Sequence, residues 1–251
     1  YGFCDGIPFY LNMVKVPFEK WINKELNKKS SLIKDEVEFL LKYEFSNPGT
    51  YKSILEAISL GKNKLGDIKN HIKVQRTDIS QYIKNLIDIG IIKREIPVYS
   101  TNNSRSGRYY ITDFFVKFWF YYVYQNINQI ELGNFKLENY NMYLGNVFEE
   151  ISKQYVAKVY NYPILGKWWY KENEIDIVTG NKEEAIFCEV KWKNEKTGIK
   201  ILKKLKQKAS LLPIKKKKYM IISKSGFTKE LEKEDVELVD IKKIKKVFGV
   251  C

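Results

Sequence analysis

The sequence predicts an α+β chain built differently in its two halves, and two observations carry that prediction. From Tyr51 to Ile111, three helical periods in a row are followed by two short strand-like runs. From about Asn146 onward, a helical period is followed by a pair of apolar runs, a lysine-rich helix and two further apolar runs. That second order is an α/β layer around a mixed sheet. The predicted divisions are 1–45, a helical lead-in; 46–112; 113–143, an aromatic helix and linker; and 144–251, the α/β layer.

The lead-in has a turn at Gly6-Ile7-Pro8, then helix-like spacing through Phe18, Trp21, Ile22 and Leu26, and again through Ile33, Val37, Phe39 and Leu40. It contains no glycine-rich phosphate loop. In the next segment Ile54, Leu55 and Ile58 mark one helix, Leu65, Ile68 and Ile72 a second, and Ile79, Ile83 and Leu86 a third. Gly90 then opens a strand, Ile91 to Glu95, a polar loop from Ser100 to Gly107, and a strand from Arg108 to Ile111.

Helix, helix, helix, hairpin is the order of a winged helix-turn-helix, whose third helix presents its N-terminal part to the major groove. Arg76, Thr77, Ser80, Gln81 and Lys84 take the exposed positions there, and Arg105 and Arg108 flank the wing. These side chains suit phosphate and base-edge contacts. The same module also serves for packing, and the residues leave both readings open. The charge favours a polyanion, with 44 Lys+Arg against 30 Asp+Glu, a net charge of +14.

Composition excludes several chemistries. A single histidine, His71, and three scattered cysteines without a Cys-x-x-Cys pair argue against zinc and against histidine-based nuclease chemistry. The aromatic run from Phe114 to Tyr124 is broken by Lys117 and is too short to cross a bilayer, so it reads as a buried helix. With no secretory signal and no disulfide framework, a cytoplasmic setting without membrane contact is expected.

The chemistry concentrates in the α/β layer. In the helix from Asn146 to Tyr160, Val147, Ile151, Tyr155 and Val159 repeat every four residues, so one face is buried. Glu149 and Glu150 read as early positions of that helix, where the macrodipole favours acids. Glu174 to Val178 and Ala185 to Trp192 form a hairpin across Gly180-Asn181-Lys182-Glu183.

Alternation puts Glu189 and Lys191 on one face, and the hairpin can bring Asp176 beside Glu189. Two carboxylates and an ammonium on one face match what magnesium-dependent phosphodiester cleavage needs. The helix from Ile199 to Leu211 suits a crossover, with Lys203, Lys204, Lys206 and Lys208 facing outward. Lys215 to Lys218 read as a solvated turn, and of the tandem Trp168 and Trp169, which could stack on bases, one is expected to face the core.

A helix bearing Glu149, then Asp176, then Glu189-Val190-Lys191 resembles the PD-(D/E)XK, or restriction-endonuclease-like, nuclease superfamily. Gly6 to Leu11, Gly107 to Asp113, Phe118-Trp119-Phe120, Gly145 to Glu149, Gly166 to Trp169 and Ser223 to Phe227 extend the resemblance to the C-terminal half of the archaeal ATPase family. It covers the chain almost end to end, although Ile175 stands where the superfamily has proline.

The resemblance implies a restriction-endonuclease-like domain after the winged helix, with Mg2+ (or Mn2+) held by Asp176, Glu189, the Val190 carbonyl and Glu149, and with Lys191 at the reacting phosphate. It also implies DNA as partner and an N-terminal ATPase domain of the same protein, through which alone ATP would enter. The alternative is a catalytically inactive DNA- or protein-binding module that regulates the ATPase.

Overall fold

The computed structural model describes residues 2–73, 78–100 and 106–249. The chain is α+β and divides into two compact units, Tyr1–Glu95 with Ser106–Glu138, and Ile96–Arg105 with Asn139–Cys251. Most of what the sequence divided at 45 and 112 lies together in the first unit.

In the first unit, helices α1 (Pro8–Met13), α2 (Phe18–Leu26) and α3 (Leu32–Glu44) precede α4 (Pro48–Ser59), α5 (Leu65–His71) and α6 (Ser80–Asp88). The Phe3 ring lies 5.0–6.2 Å from those of Tyr10, Phe18, Trp21, Phe115 and Phe118, largely in edge contacts that favour aromatic packing. Helix α3 buries Ile33, Val37 and Leu41, a stripe at four-residue spacing. Phe39 and Leu40, expected with them, fall off that stripe and are exposed.

Helix α4 buries Ile54, Leu55 and Ile58, and α6 buries Ile83 and Leu86 with Ile79 buried just before it, whereas of the positions marked on the second helix only Ile68 is buried and Leu65 and Ile72 are half-buried. Strands β1 (Ile92–Glu95) and β2 (Arg108–Ile111) then pair antiparallel, with Glu95 opposite Arg108. After β2, the side chain of Asp113 caps α7 (Phe114–Phe118) by accepting from the Val116 N–H at 2.9 Å. The expected single aromatic helix instead widens to π geometry over Trp119–Val123 before α8 (Ile127–Glu131). Phe114, Phe115, Val116, Phe118, Trp119, Phe120, Tyr122 and Val123 are all buried, so this segment is enclosed on more than one face.

The second unit runs α9 (Tyr140–Val159), β3 (Ile164–Tyr170), β4 (Asn173–Gly180), β5 (Glu184–Lys191), α10 (Ile199–Ala209), β6 (Lys216–Ser223), β7 (Glu237–Asp240) and α11 (Ile241–Phe248). The sheet order is β3-β4-β5-β6-β7. It is antiparallel from β3 to β5 and parallel from β5 to β7, so the sheet is mixed. Helix α10 is the crossover that parallel β5 and β6 require.

Alternation along β5 divides the core between two faces. Cys188 and Val190 pack with Phe148, Tyr155 and Val156 of α9 and Ile244 of α11, whereas Ala185 and Phe187 pack with Leu205 and Ala209 of α10. Residues 96–105 belong to this unit: the Val98 N–H donates to the Lys167 carbonyl at 2.9 Å, and the Tyr99 hydroxyl to the Asn181 carbonyl at 2.9 Å.

Several expectations need correction here. Helix α9 begins at Tyr140, so Glu149 and Glu150 are mid-helix and the macrodipole does not account for them. Val159, at the last helical residue, is exposed. Lys216 to Lys218 form the start of β6 rather than a turn, and the Lys217 ammonium donates to the Ala209 and Leu212 carbonyls at 2.8 Å each, satisfying the end of α10. Trp168 and Trp169 are both buried.

Candidate metal and phosphodiester site

The site is assembled where β4 and β5 part. Their pairing runs from Gly180 opposite Ala185 to Ile177 opposite Cys188. The hairpin is closed by the Asn181 side chain, whose Oδ1 accepts from the Glu183 and Glu184 N–H groups at 2.8 and 2.9 Å.

On its other side, β4 pairs Val178 with Gly166 but Ile175 with Trp168. Three steps along β4 therefore match two along β3, a β-bulge containing Asp176 and Ile177. The bulge keeps Ile175 in the core with Trp168 and Val178 and turns Asp176 out of ladder register. Its carboxylate instead accepts from the Val190 N–H at 2.7 Å.

Glu189 and Lys191 lie on the same face of β5, as alternation predicts. The Lys191 ammonium is 2.7 Å from Glu189 Oε1, 3.0 Å from the Val190 carbonyl oxygen and 4.0 Å from Asp176 Oδ2. One cation thus sits among three of the oxygens the sequence assigned to a metal. Lys208 from α10 takes the second Glu189 oxygen at 3.1 Å.

Glu149 is held on α9 by Lys167 of β3 at 2.6 Å, and Lys167 is also 3.8 Å from Glu174. Among the described residues, no group of three or more His, Cys, Asp and Glu side chains is placed to hold a metal as a set. The donors that converge are two carboxylates and a backbone carbonyl, with Glu149 turned toward Lys167.

Electrostatics link all four groups. Burial first, and then the charges of Glu189 and Glu149, push the Asp176 carboxyl up to about 7 against the opposing pull of Lys191 and the Val190 N–H. Burial works against the Lys191 charge, but Glu189 and Asp176 outweigh it and raise the ammonium above its ordinary value. Lys191 therefore stays protonated at neutral pH. Excess negative charge that protonation or a cation relieves is the condition a hard-cation site creates.

The donor set fits a hard cation in its chemistry: oxygens only, from Asp176, Glu189 and the Val190 carbonyl, with Glu149 electrostatically coupled to Asp176. Residue reading missed Lys167 and Lys208. Lys208 was assigned outward on α10, but its position one residue before Ala209, which packs against the sheet, lets its stem reach Glu189. Lys167 lies in the Gly166 to Trp169 stretch that carries part of the family resemblance, but nothing local gave it a role.

Of the residues expected at a nucleic-acid surface, Ser80, Gln81 and Lys84 are exposed on α6. The Ser80 N–H donates to Asp78 at 2.9 Å, and Gln81 to Asn85 at 2.8 Å. Arg108 is half-buried on β2. Arg76, Thr77 and Arg105 lie outside the described residues. Among the described residues, no helix is long and apolar enough to cross a membrane.

The fold and site describe a mixed-sheet α+β chain with a carboxylate and lysine cluster at a strand divergence. A family described as archaea bacterial proteins of unknown function (DUF234) matches residues 119–208. The chain is 40% identical over 247 residues to the uncharacterized protein MJECL04 of Methanocaldococcus jannaschii. That match covers 92% of this chain and 56% of the relative, so the chain spans little more than half the relative's length. The crystal structure of protein VC1899 from Vibrio cholerae is similar at 15% identity, over 94% of this chain and 56% of that one, with a TM-score of 0.32, too low to carry an argument.

Proposed function

We propose that this chain is the DNA-binding, Mg2+-dependent phosphodiester-cleaving portion of a longer protein that carries an N-terminal P-loop ATPase domain. In this reading α4, α5, α6, β1 and β2 form the winged helix, and the second unit is a restriction-endonuclease-like domain. The observation that carries it is the Lys191 ammonium seated among Glu189 Oε1, the Val190 carbonyl and Asp176 Oδ2.

Asp176, Glu189 and the Val190 carbonyl would hold the cation, with Glu149 joining when released from Lys167. Bound Mg2+ would supply charge neutralisation at the scissile phosphate and an acidified water. Lys191, kept charged by its carboxylate neighbours, donates to the attacking water or to the developing phosphoryl charge. Lys208 holds the far oxygen of Glu189 and so fixes that carboxylate's orientation. On α6, Ser80, Gln81 and Lys84 supply groove contacts, with Arg108 of β2; Arg76, Thr77 and Arg105 are further candidates by sequence alone.

A second reading has one observation in its favour. Lys191 and Lys208 both engage Glu189, and Lys167 engages Glu149, so these carboxylates already have protein cations. An inactive DNA- or protein-binding module attached to an ATPase would retain such pairs.

The test is cleavage of linear duplex, single-stranded, branched and supercoiled DNA with Mg2+ or Mn2+, comparing the wild type with Asp176→Asn. The proposal expects cleavage by the wild type and a loss of at least about 100-fold in the variant. A wild type that binds DNA but cleaves none of these substrates selects the module. Cleavage that survives Asp176→Asn removes this site from the chemistry.

A further inference from the structure

The second unit has a cavity at the opposite end of the parallel strands. Strand β7 pairs only with Met220 to Ser223 of β6, so the first half of β6 runs on without a strand partner on that side. The notch beside it is a cavity of about 360 Å3. From Ile186 in its wall to Glu189 is roughly 10 Å of strand at about 3.3 Å per residue, and the two side chains take opposite faces of β5, Ile186 packing with Cys188 and Val190, so the notch is distinct from the carboxylate cluster.

Three kinds of group line it. The Tyr160 and Tyr162 rings lie within 8° of parallel, with centroids 6.4 Å apart, and Tyr219 adds a third ring. The tyrosines are fixed by their hydroxyls, Tyr162 donating to Glu184 at 2.8 Å and Tyr160 to Glu237. Lys206 and Lys218 supply positive charge: their nearest carboxylates are 3.8 and 3.6 Å away, their side chains are 43% and 62% exposed, and the Lys206 ammonium lies 5.5 Å from the Tyr219 ring centroid, a contact a phosphate can draw it from. The carboxylates of Glu237 and Asp235 supply acceptors.

A simple anion would use the lysines and be repelled by the carboxylates. A purely apolar ligand would leave both unused. We propose that this notch binds a nucleotide unit: a base against the tyrosine rings, its exocyclic amine on Glu237 or Asp235, and its phosphate on Lys206 and Lys218. Base stacking on aromatic rings, carboxylates accepting from base amines, and lysines on phosphate each match a group present. The volume is in the range of small-molecule sites. The proposal does not depend on the cleavage reading.

The unit could be a free mononucleotide or one residue of a strand, and calorimetric titration separates the two. The probes are AMP, GMP, CMP and UMP, together with oligo(dC) and oligo(dT) of equal length. Binding of the amino-bearing monophosphates in preference to UMP supports a free nucleotide. Binding of oligo(dC) over oligo(dT), without mononucleotide binding, supports a strand.

In either case Lys206→Ala/Lys218→Ala should weaken binding at least about 10-fold, as loss of phosphate contacts requires. Glu237→Ala/Asp235→Ala, which removes both acceptors, should abolish the preference for amino bases. Both lysines are solvent-facing, so an unchanged unfolding midpoint verifies the double variant's fold. No binding to any probe at millimolar concentration, no base preference, or binding indifferent to the lysine substitutions overturns the proposal.

Discussion

Asp176→Asn should remove a pH-dependent loss of stability that the wild type suffers without divalent cations. The carboxyl is raised from 3.8 to about 7, first by burial and then by Glu189 and Glu149. For an acid so shifted, the folded chain holds a proton that the unfolded chain has already released. Its stabilising contribution is complete below pH 3.8 and is lost as pH rises through about 7. About 3 pH units at about 1.4 kcal/mol each gives about 4 kcal/mol, an upper figure because the parted strands can admit water.

Asparagine keeps an acceptor for the Val190 N–H and carries no charge. The variant should therefore gain on the wild type steadily between pH 4 and pH 7 and hold its advantage above. Urea unfolding in EDTA across this range measures the difference. Adding Mg2+ at about 100 times its Kd should then return about 2.7 kcal/mol to the wild type at pH 8 and little to the variant. A wild-type-to-variant difference that is flat with pH refutes the electrostatic account. Absence of any Mg2+ effect refutes the cation site.

Lys191→Ala should reduce Mg2+-dependent cleavage at least about 100-fold while leaving DNA affinity near wild type, read by single-turnover assays and by binding titration. Gly166→Ala should destabilise the second unit by about 1–3 kcal/mol, because the added Cβ would lie 2.8 Å from Val98 Cγ1. Val98→Ala in the same chain should recover much of that loss, and additive rather than compensating effects in unfolding measurements would show that the contact is not the cause. Lys84→Ala should lower the slope of log affinity against log salt by about 1 if Lys84 meets a DNA phosphate, and an unchanged slope removes α6 from the interface.

Much of the second unit was legible because its signals are local. The apolar runs gave the hairpin, alternation put Glu189 with Lys191, and the helix from Ile199 to Leu211 was read as the crossover that α10 proves to be. Phe39, Val159 and Lys216 to Lys218 were misread where a pattern met an element boundary or a second face of the same helix. The widened turn at Trp119–Val123 was invisible because consecutive aromatic residues satisfy a regular helix equally well.

By itself the sequence determined that Asp176, Glu189 and Lys191 lie in strands, the order of the elements around them, and the two-part α+β build, because period and turn chemistry are written residue by residue. Only the tertiary structure decided that β4 bulges at Asp176 and Ile177, that Asp176 takes the Val190 N–H, and that Lys167 and Lys208 reach Glu149 and Glu189. These contacts join residues far apart along the chain. They depend on strand register and on the approach of helices to the sheet, which no local pattern encodes.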